Sequence, residues 1–310
     1  MKCQAGRRFM NGVDIAGVVT PVQRAKPMSM VSLHSRIANI HSKQPWFVLS
    51  AANHYDLVLS DEPAISHFYS FKTKPLSDTT FAVPDGCVDI LFDLDSTNPG
   101  ARVCGTTLEA RRAGLKSDHH YFGVRFAPGV TPDFLCVSAD DLVDQELDFM
   151  GVINGAESVF EQVVQEQEFA GKVRVLEAFL RGKAARRVSR LTLSAVHEIC
   201  EEKGHISLSE LEERTGYCKR TLQRYFNSDL GMSPKAFSRI IRCQAAIYDI
   251  NHQDNVTFSD LACDLGFSDQ PHFLREFKKL VSVTPVEYRQ QVKHVTYLQR
   301  IRYRRPIMAQ

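Results

Sequence analysis

A short text occurs twice in the second half of the chain, and no other feature of the sequence constrains the fold as strongly. Ile206-Ser207-Leu208-Ser209-Glu210-Leu211 is answered by Val256-Thr257-Phe258-Ser259-Asp260-Leu261, 50 residues on, and the correspondence runs through Gly216-Tyr217 against Gly266-Phe267. The second copy then gains one residue. Leu222, Arg224, Phe226, Ser233-Pro234 and Phe237 match Phe273, Arg275, Phe277, Thr284-Pro285 and Tyr288 at an offset of 51. Self-similarity at this period indicates a duplicated supersecondary unit.

Each copy can be read physically. Ser207 with Glu210, and Thr257 with Asp260, have the three-residue spacing of a capping box, so each copy opens a helix there. Gly216 and Gly266 follow about two helical turns later, where a sharp turn needs a positive φ. A second helix restarts at once, from Cys218 and from Ser268. Helix, glycine turn, helix is the helix-turn-helix arrangement, whose second helix lies in the DNA major groove.

The second helices carry chemistry that suits a groove. In Lys219-Arg220-Thr221-Leu222-Gln223-Arg224-Tyr225-Phe226, the residues Leu222, Tyr225 and Phe226 share one face, and Lys219, Arg220, Gln223 and Arg224 point largely elsewhere. In the second copy Phe273 and Phe277 form the core pair, leaving Gln270, His272 and Arg275 for a groove. Arginine suits guanine and glutamine suits adenine by paired hydrogen bonds, while lysines suit phosphates. The expected base-reading residues are Arg220, Thr221, Gln223, Arg224, Gln270, His272 and Arg275, and the expected phosphate contacts are Lys219, Lys278 and Lys279.

At these residues the chain resembles the AraC/XylS family of bacterial transcription regulators. The matched signature is Gly266-Phe267-Ser268-Asp269-Gln270, His272-Phe273, Arg275, Phe277-Lys278-Lys279, Thr284-Pro285 and Tyr288-Arg289. Gly216-Tyr217, Leu222-Gln223-Arg224, Phe226 and Gly231-Met232-Ser233-Pro234 support it in the first copy. Three positions depart from the family pattern: Pro271 stands where a polar residue is usual, Glu212 where a small alanine is usual, and Ser282 where a glycine is usual. The resemblance implies double-stranded DNA as partner, a homodimer, and RNA polymerase and a small-molecule effector as further candidate partners. It implies regulation rather than catalysis, with no cofactor.

Charge is distributed accordingly. The formal net charge is +2, but residues from Arg186 onward carry 20 basic and 14 acidic side chains, leaving the front of the chain net acidic. The 8 cysteines include no closely spaced pair, which points to a reducing compartment rather than a disulfide framework. No apolar run long enough for a signal peptide or a membrane span occurs, so a cytoplasmic protein is expected.

The front half is legible in parts. Residues 1–54 form a leader that is hard to read, with a short element expected around Val31 to Ile40. Tyr55 to Leu59 alternates as a strand, and Ala64 to Phe71 behind Pro63 has room for one or two helical turns. Val88, Ile90, Phe92 and Leu94 alternate with Asp89, Leu91, Asp93 and Asp95, the period of a strand with one buried face, and the aspartates are expected on the solvent side. Ala101 to Thr106 and Tyr121 to Phe126 read as further strands. Helical spacing follows at Pro132 to Val137, Ala139 to Leu147, Ala156 to Glu166 and Lys172 to Leu180. The order Pro84-Asp85-Gly86-Cys87-Val88-Asp89-Ile90, Val103-Cys104-Gly105 and Gly123 to Gly129 also resembles an uncharacterised N-terminal domain of some AraC-like regulators.

The expected fold class is therefore α+β: a β-rich N-terminal domain, then an all-α C-terminal domain with two helix-turn-helix units joined by a connecting helix. The segments are 1–54 (leader), 55–180 (β-rich sensory or dimerisation domain with a helical tail), 181–190 (basic linker), 191–291 (double helix-turn-helix) and 292–310 (basic tail, solvated or touching phosphate). Ser233 to about Asn251 is the connector. Catalytic constellations are absent: His119-His120 would point to opposite faces of a strand, and no nucleophile motif occurs. The alternatives are a redox- or alkylation-responsive regulator using N-terminal cysteines, Cys87 and Cys104 for a redox switch and these with Cys136 for alkylation, and a module that uses the duplicated helices for protein contacts alone.

Overall fold

The computed structural model describes residues 51–74, 80–181, 183, 188–253, 255–294 and 300–304. The element expected around Val31 to Ile40 lies outside them. The strands are β1 (Ala52–Leu59), β2 (Ile65–Thr73), β3 (Phe81–Ala82), β4 (Asp89–Asp93), β5 (Gly100–Cys104), β6 (Arg111–Arg112), β7 (His120–Phe126), β8 (Glu146–Asp148) and β9 (Ile301–Tyr303). The main sheet runs β8-β5-β4-β7-β2-β1-β9, and β3 pairs with β6 in a separate two-stranded ribbon. Every described pairing is antiparallel except that of β9 with β1.

The front helices are α1 (Ala139–Leu142), α2 (Phe149–Val152), α3 (Ala156–Gln165) and α4 (Phe169–Leu180). One face of the sheet packs on them: Ile90, Phe92, Phe122 and Val124 share an apolar cluster with Phe149, Val163 and Leu176. The opposite face carries Tyr55, Tyr69, Phe71, Leu91 and Tyr121, and its cluster is continuous with Phe273, Phe277 and Tyr288 of the C-terminal region.

Burial on both faces corrects the expectation for β4. Asp89 and Asp93 are 8% and 9% exposed rather than solvated, because β4 is an inner strand and both faces of the sheet are covered. Arg125 of β7 binds Asp89 and also Asp85, and His119 lies 2.7 Å from Asp93. The same double burial hides β2, where helical turns were expected. Phe68 and Phe71 are three apart, but both faces of the strand are buried and the alternation disappears.

Further differences have local causes. Residues 132–137 form a turn and an isolated bridge, Leu135 with Ile153, and Cys136 N donates to Val152 O at 2.8 Å, so those backbone groups are satisfied without a helix. The helix expected over 139–147 stops after one turn; Asp144 takes φ 57° and Glu146–Asp148 then extends the sheet at β5. The basic tail is structured where it is described: Ile301–Tyr303 pairs with β1, and Arg304 Nε binds Asp56 at 2.7 Å.

The C-terminal helices are α5 (Arg190–Glu201), α6 (Leu208–Thr215), α7 (Lys219–Leu230), α8 (Pro234–His252), α9 (Phe258–Asp264), α10 (Gln270–Val281) and α11 (Pro285–His294). The first part of this region has its own core, in which Leu222 and Phe226 of α7 meet Val196 and Ile199 of α5 and Phe237 and Ile240 of α8.

Candidate nucleic-acid interface

The first helix-turn-helix is α6 and α7. The Ser207 hydroxyl accepts from Glu210 N at 3.2 Å and the Glu210 carboxylate accepts from Ser207 N at 2.8 Å, a complete capping box. Gly216 ends α6 at φ 74°, a conformation glycine takes without steric cost, and α7 restarts at Lys219. In the second unit, α9 and α10, the Thr257 hydroxyl accepts from Asp260 N at 3.1 Å. Thr257 N makes no return bond to the Asp260 carboxylate, so this cap is half of the box found in the first copy.

Helix α7 buries Leu222, Phe226 and Leu230 and leaves Lys219, Arg220, Gln223 and Arg224 exposed. Thr221 is half-buried, with its hydroxyl 3.2 Å from the Cys218 sulfur. Tyr225, expected with the apolar face, is 36% exposed and lies under the Arg224 guanidinium at 5.2 Å. Helix α10 buries Phe273, Phe277, Leu280 and Val281 and exposes Gln270, Arg275, Lys278 and Lys279. Pro271 sits in its first turn, where the missing N–H is not needed, and Asp269 caps that turn by accepting from His272 N at 2.6 Å.

Two of the sequence-selected residues face a common space. Gln223 and His272 both line a cleft of about 400 Å³ between the two units. His272 is half-buried, its Nδ1 lying 3.0 Å from the Ser268 hydroxyl and its ring edge-on to Phe267. Lys279 is drawn toward the front domain: its ammonium lies 2.6 Å from Glu109, and its carbonyl accepts from Ala110 N at 3.3 Å.

Sequence reasoning missed the residues that hold the units together. Arg242, midway along α8, donates through Nη2 to Gly204 O (2.9 Å) beside the first unit and through Nη1 to Gly266 O (3.2 Å) in the turn of the second. One turn earlier, Arg239 binds Glu276 of α10. Asp229 accepts from Ser189 N (3.1 Å), the Ser189 hydroxyl (2.7 Å) and the Thr192 hydroxyl (2.6 Å), which ties the end of α7 to the start of α5. The available signal was a pair of arginines three residues apart within an otherwise apolar connecting helix.

Front-domain segments also touch the helical region. Gln244 Nε2 of α8 donates to Pro84 O at 2.6 Å, the Thr131 hydroxyl donates to Asp229 O at 3.4 Å, and Leu108 packs on the first unit's core. Of the candidate redox pair, Cys87 is buried, and burial pushes the Cys104 thiol up to about 12. Among the described residues no group of His, Cys, Asp and Glu could hold a metal ion, and no helix is long and apolar enough to cross a membrane.

Comparison with known proteins agrees with the two-part organisation. Residues 211–291 match a helix-turn-helix domain family and residues 62–148 match a domain of unknown function (DUF6597). An uncharacterised HTH-type transcriptional regulator of Staphylococcus aureus (strain MSSA476) is 36% identical over 84 residues, 27% of this chain and 11% of that protein. The putative HTH-type transcriptional regulator YkgA of Escherichia coli (strain K12) is 33% identical over 91 residues, 29% of this chain and 37% of that protein. The matched segment thus spans well under half the length of either relative. Among solved structures, a transcriptional regulator with an AraC-type DNA-binding domain from Chromobacterium violaceum is 24% identical, with a TM-score of 0.31, over 33% of this chain and 90% of that one. ToxT from Vibrio cholerae O395 is 13% identical, with a TM-score of 0.37, over 79% of this chain and 99% of that one. The C-terminal region carries a helix-turn-helix domain, preceded by a β-rich region that matches a domain of unknown function.

Proposed function

We propose that the chain is a sequence-specific DNA-binding transcription regulator, acting in the cytoplasm as a homodimer, whose two helix-turn-helix units enter successive major grooves on one side of the duplex. The observation that carries this reading is that both second helices bury an apolar stripe and leave arginine, glutamine and lysine outward, while one rigid connector links them. Helix α8 has 19 residues, roughly 28 Å at 1.5 Å per residue, a length suited to units placed about one DNA turn apart. In this reading Arg220, Thr221, Gln223, Arg224, Gln270, His272 and Arg275 address base edges, and Lys219, Lys278 and Lys279 address phosphates.

Segment 55–180 is the signal-receiving unit of this reading and 191–291 the DNA-binding one. A signal in the front domain has two routes outward: the segment around Pro84 to α8, and the segment around Glu109 and Ala110 to α10. Selection of bound sequences from a random duplex pool, followed by salt-titrated gel shifts, tests the function. A consensus with two half-sites about ten base pairs apart is expected, with affinity falling steeply as salt rises. Absence of any duplex binding would instead leave the duplicated helices as a protein-contact module.

A further inference from the structure

The first half of α8 carries one polar stripe. Lys235, Ser238, Arg239 and Arg242 recur at i, i+3, i+4 and i+7, the spacing that puts residues on a single helix face, and all four line the cleft of about 400 Å³ between the two units. Its other walls are largely apolar, with Ile206, Leu208 and Leu211 on the side of the first unit and Phe267 on that of the second. Charge along the cleft is unbalanced. Three cations, Lys235, Arg239 and Arg242, line it beside one carboxylate, Glu276, which Arg239 already holds. Lys235 and Arg242 enter no ion pair among the described residues.

Carbonyls rather than a counter-charge hold Arg242: Nη1 donates to Gly266 O and Nη2 to Gly204 O. Burial pulls its pKa below the usual arginine range, and Glu276 offsets only part of that shift. Neither guanidinium is fully satisfied, since Arg239 Nη2 and Arg242 Nε are buried donors without an acceptor among the described residues. One turn before Arg242, Ser238 is 6% exposed, lines the cleft, and makes no side-chain hydrogen bond among the described residues. Buried polar groups of this kind are normally satisfied by protein, water or ligand.

We propose that this cleft binds an organic acid with an apolar body, its carboxylate set against Arg242 and the Ser238 hydroxyl and its body against Leu208, Leu211 and Phe267. The carboxylate supplies the missing negative charge and accepts from two donors that lie one turn apart on one helix face. Size and lining choose the rest of the molecule. An apolar cavity of about 150 Å³ holds benzene, so about 400 Å³ admits a body of two fused rings or a chain of similar bulk. A phosphate group alone would leave the apolar walls uncovered. Gln223 and His272 also wall the cleft. On the DNA-binding reading, on which this consequence rests, acid and duplex compete for those two side chains, and each weakens the other by the same factor.

The test of the site is calorimetry on the full chain without DNA, so that its outcome does not depend on whether the chain binds a duplex. The probes are 2-naphthoate and decanoate, with 2-naphthalenemethanol lacking the charge and inorganic phosphate lacking the body. Saturable binding of at least one acid is expected, with the alcohol and phosphate each weaker by about tenfold or more, as the loss of a charge-assisted hydrogen bond or of the buried body requires. Arg242→Gln should weaken the acid by about tenfold. Where that variant fails to fold, Ser238→Ala removes one oxygen and no charge, and should weaken it about fivefold. Gel shifts of the selected duplex read the competition: weaker binding in 2-naphthoate supports it, and an unchanged midpoint overturns it. The alcohol or phosphate binding as well as the better acid, unchanged affinity in Ser238→Ala, or no saturable binding of either acid would overturn the assignment of the site.

Discussion

The two helix-turn-helix units share a sequence plan and differ in what surrounds them. The first packs on its own cluster, with α5 behind α7, and meets the front domain mainly at the end of α7, where Gly231 abuts the Ala139 carbonyl. The second has no core of its own: Phe273, Phe277 and Tyr288 belong to the cluster that runs into Tyr55, Phe71 and Tyr121 on the sheet. The ends of the second helices differ too. Helix α7 closes on Gly231 at φ 67°, while α10 closes on Ser282 at φ 73°, a left-handed conformation that a serine adopts at a cost. Similar text has therefore been placed in two mechanical settings. The second unit is packed on the sheet, and the first is joined to the rest through α8 and through the contact at Gly231.

The contrast can be broken first at Gly231. A Cβ there would lie 2.4 Å from the Ala139 carbonyl oxygen, which is backbone and cannot swing aside, and the positive φ adds strain. Gly231→Ala should destabilise the fold by about 3 kcal/mol in urea unfolding. Gly216→Ala, at a similar φ but with nothing within 4 Å, should cost only about 1 kcal/mol. Equal losses would mean that the contact between the first unit and α1 carries no weight.

Next come the paired arginines. Arg224→Ala and Arg275→Ala should each weaken operator binding by about 2 kcal/mol and relax base preference at one position only. Footprints in which either change weakens all sequences alike would place that arginine on phosphate, and the two units would then not be equivalent readers. A smaller and opposite effect is expected at the close of α10. Ser282→Gly should raise stability by about 1 kcal/mol, because glycine removes the left-handed strain and the unsatisfied Ser282 hydroxyl together. No gain in the urea midpoint would show that the serine is held there by something other than its backbone.

What the letters revealed follows the same division. Caps, glycine turns and apolar stripes are local, so α6, α7, α9 and α10 could be read from Ser207, Gly216, Thr257 and Gly266 with little error. The connector was legible from Ser233-Pro234, which caps and starts α8. Contacts between distant segments left no such trace. The aspartates of β4 alternate as though one side faced water, but Arg125, 36 residues from Asp89, takes Asp89 into a buried network, and His119 does the same for Asp93. Ile301–Tyr303 has only three residues, too few for any period, yet it lengthens the sheet at β1. Arg242 looked like one more basic residue until Gly204 and Gly266 were brought to it from both sides.

The smallest predicted effect separates Lys279 from its neighbour Lys278. Both are exposed near the end of α10, but Lys279 already holds Glu109 of the front domain, with the two side chains 50% and 48% exposed. A lysine that neutralises a phosphate releases one counterion, so Lys278→Ala should lower the salt slope of DNA binding by about 0.9. Lys279 must first leave its carboxylate, and an exposed pair of this kind is worth about 0.5 kcal/mol. Glu109→Gln should therefore tighten DNA binding by about that amount at low salt, with the gain fading as salt rises. The gain should vanish in the Lys279→Ala background, because no ammonium remains to be freed. A Glu109→Gln effect that persists without Lys279 would mean that Glu109 acts on the approaching duplex by plain charge repulsion, and the link from the front domain to α10 would reduce to the backbone bond from Ala110.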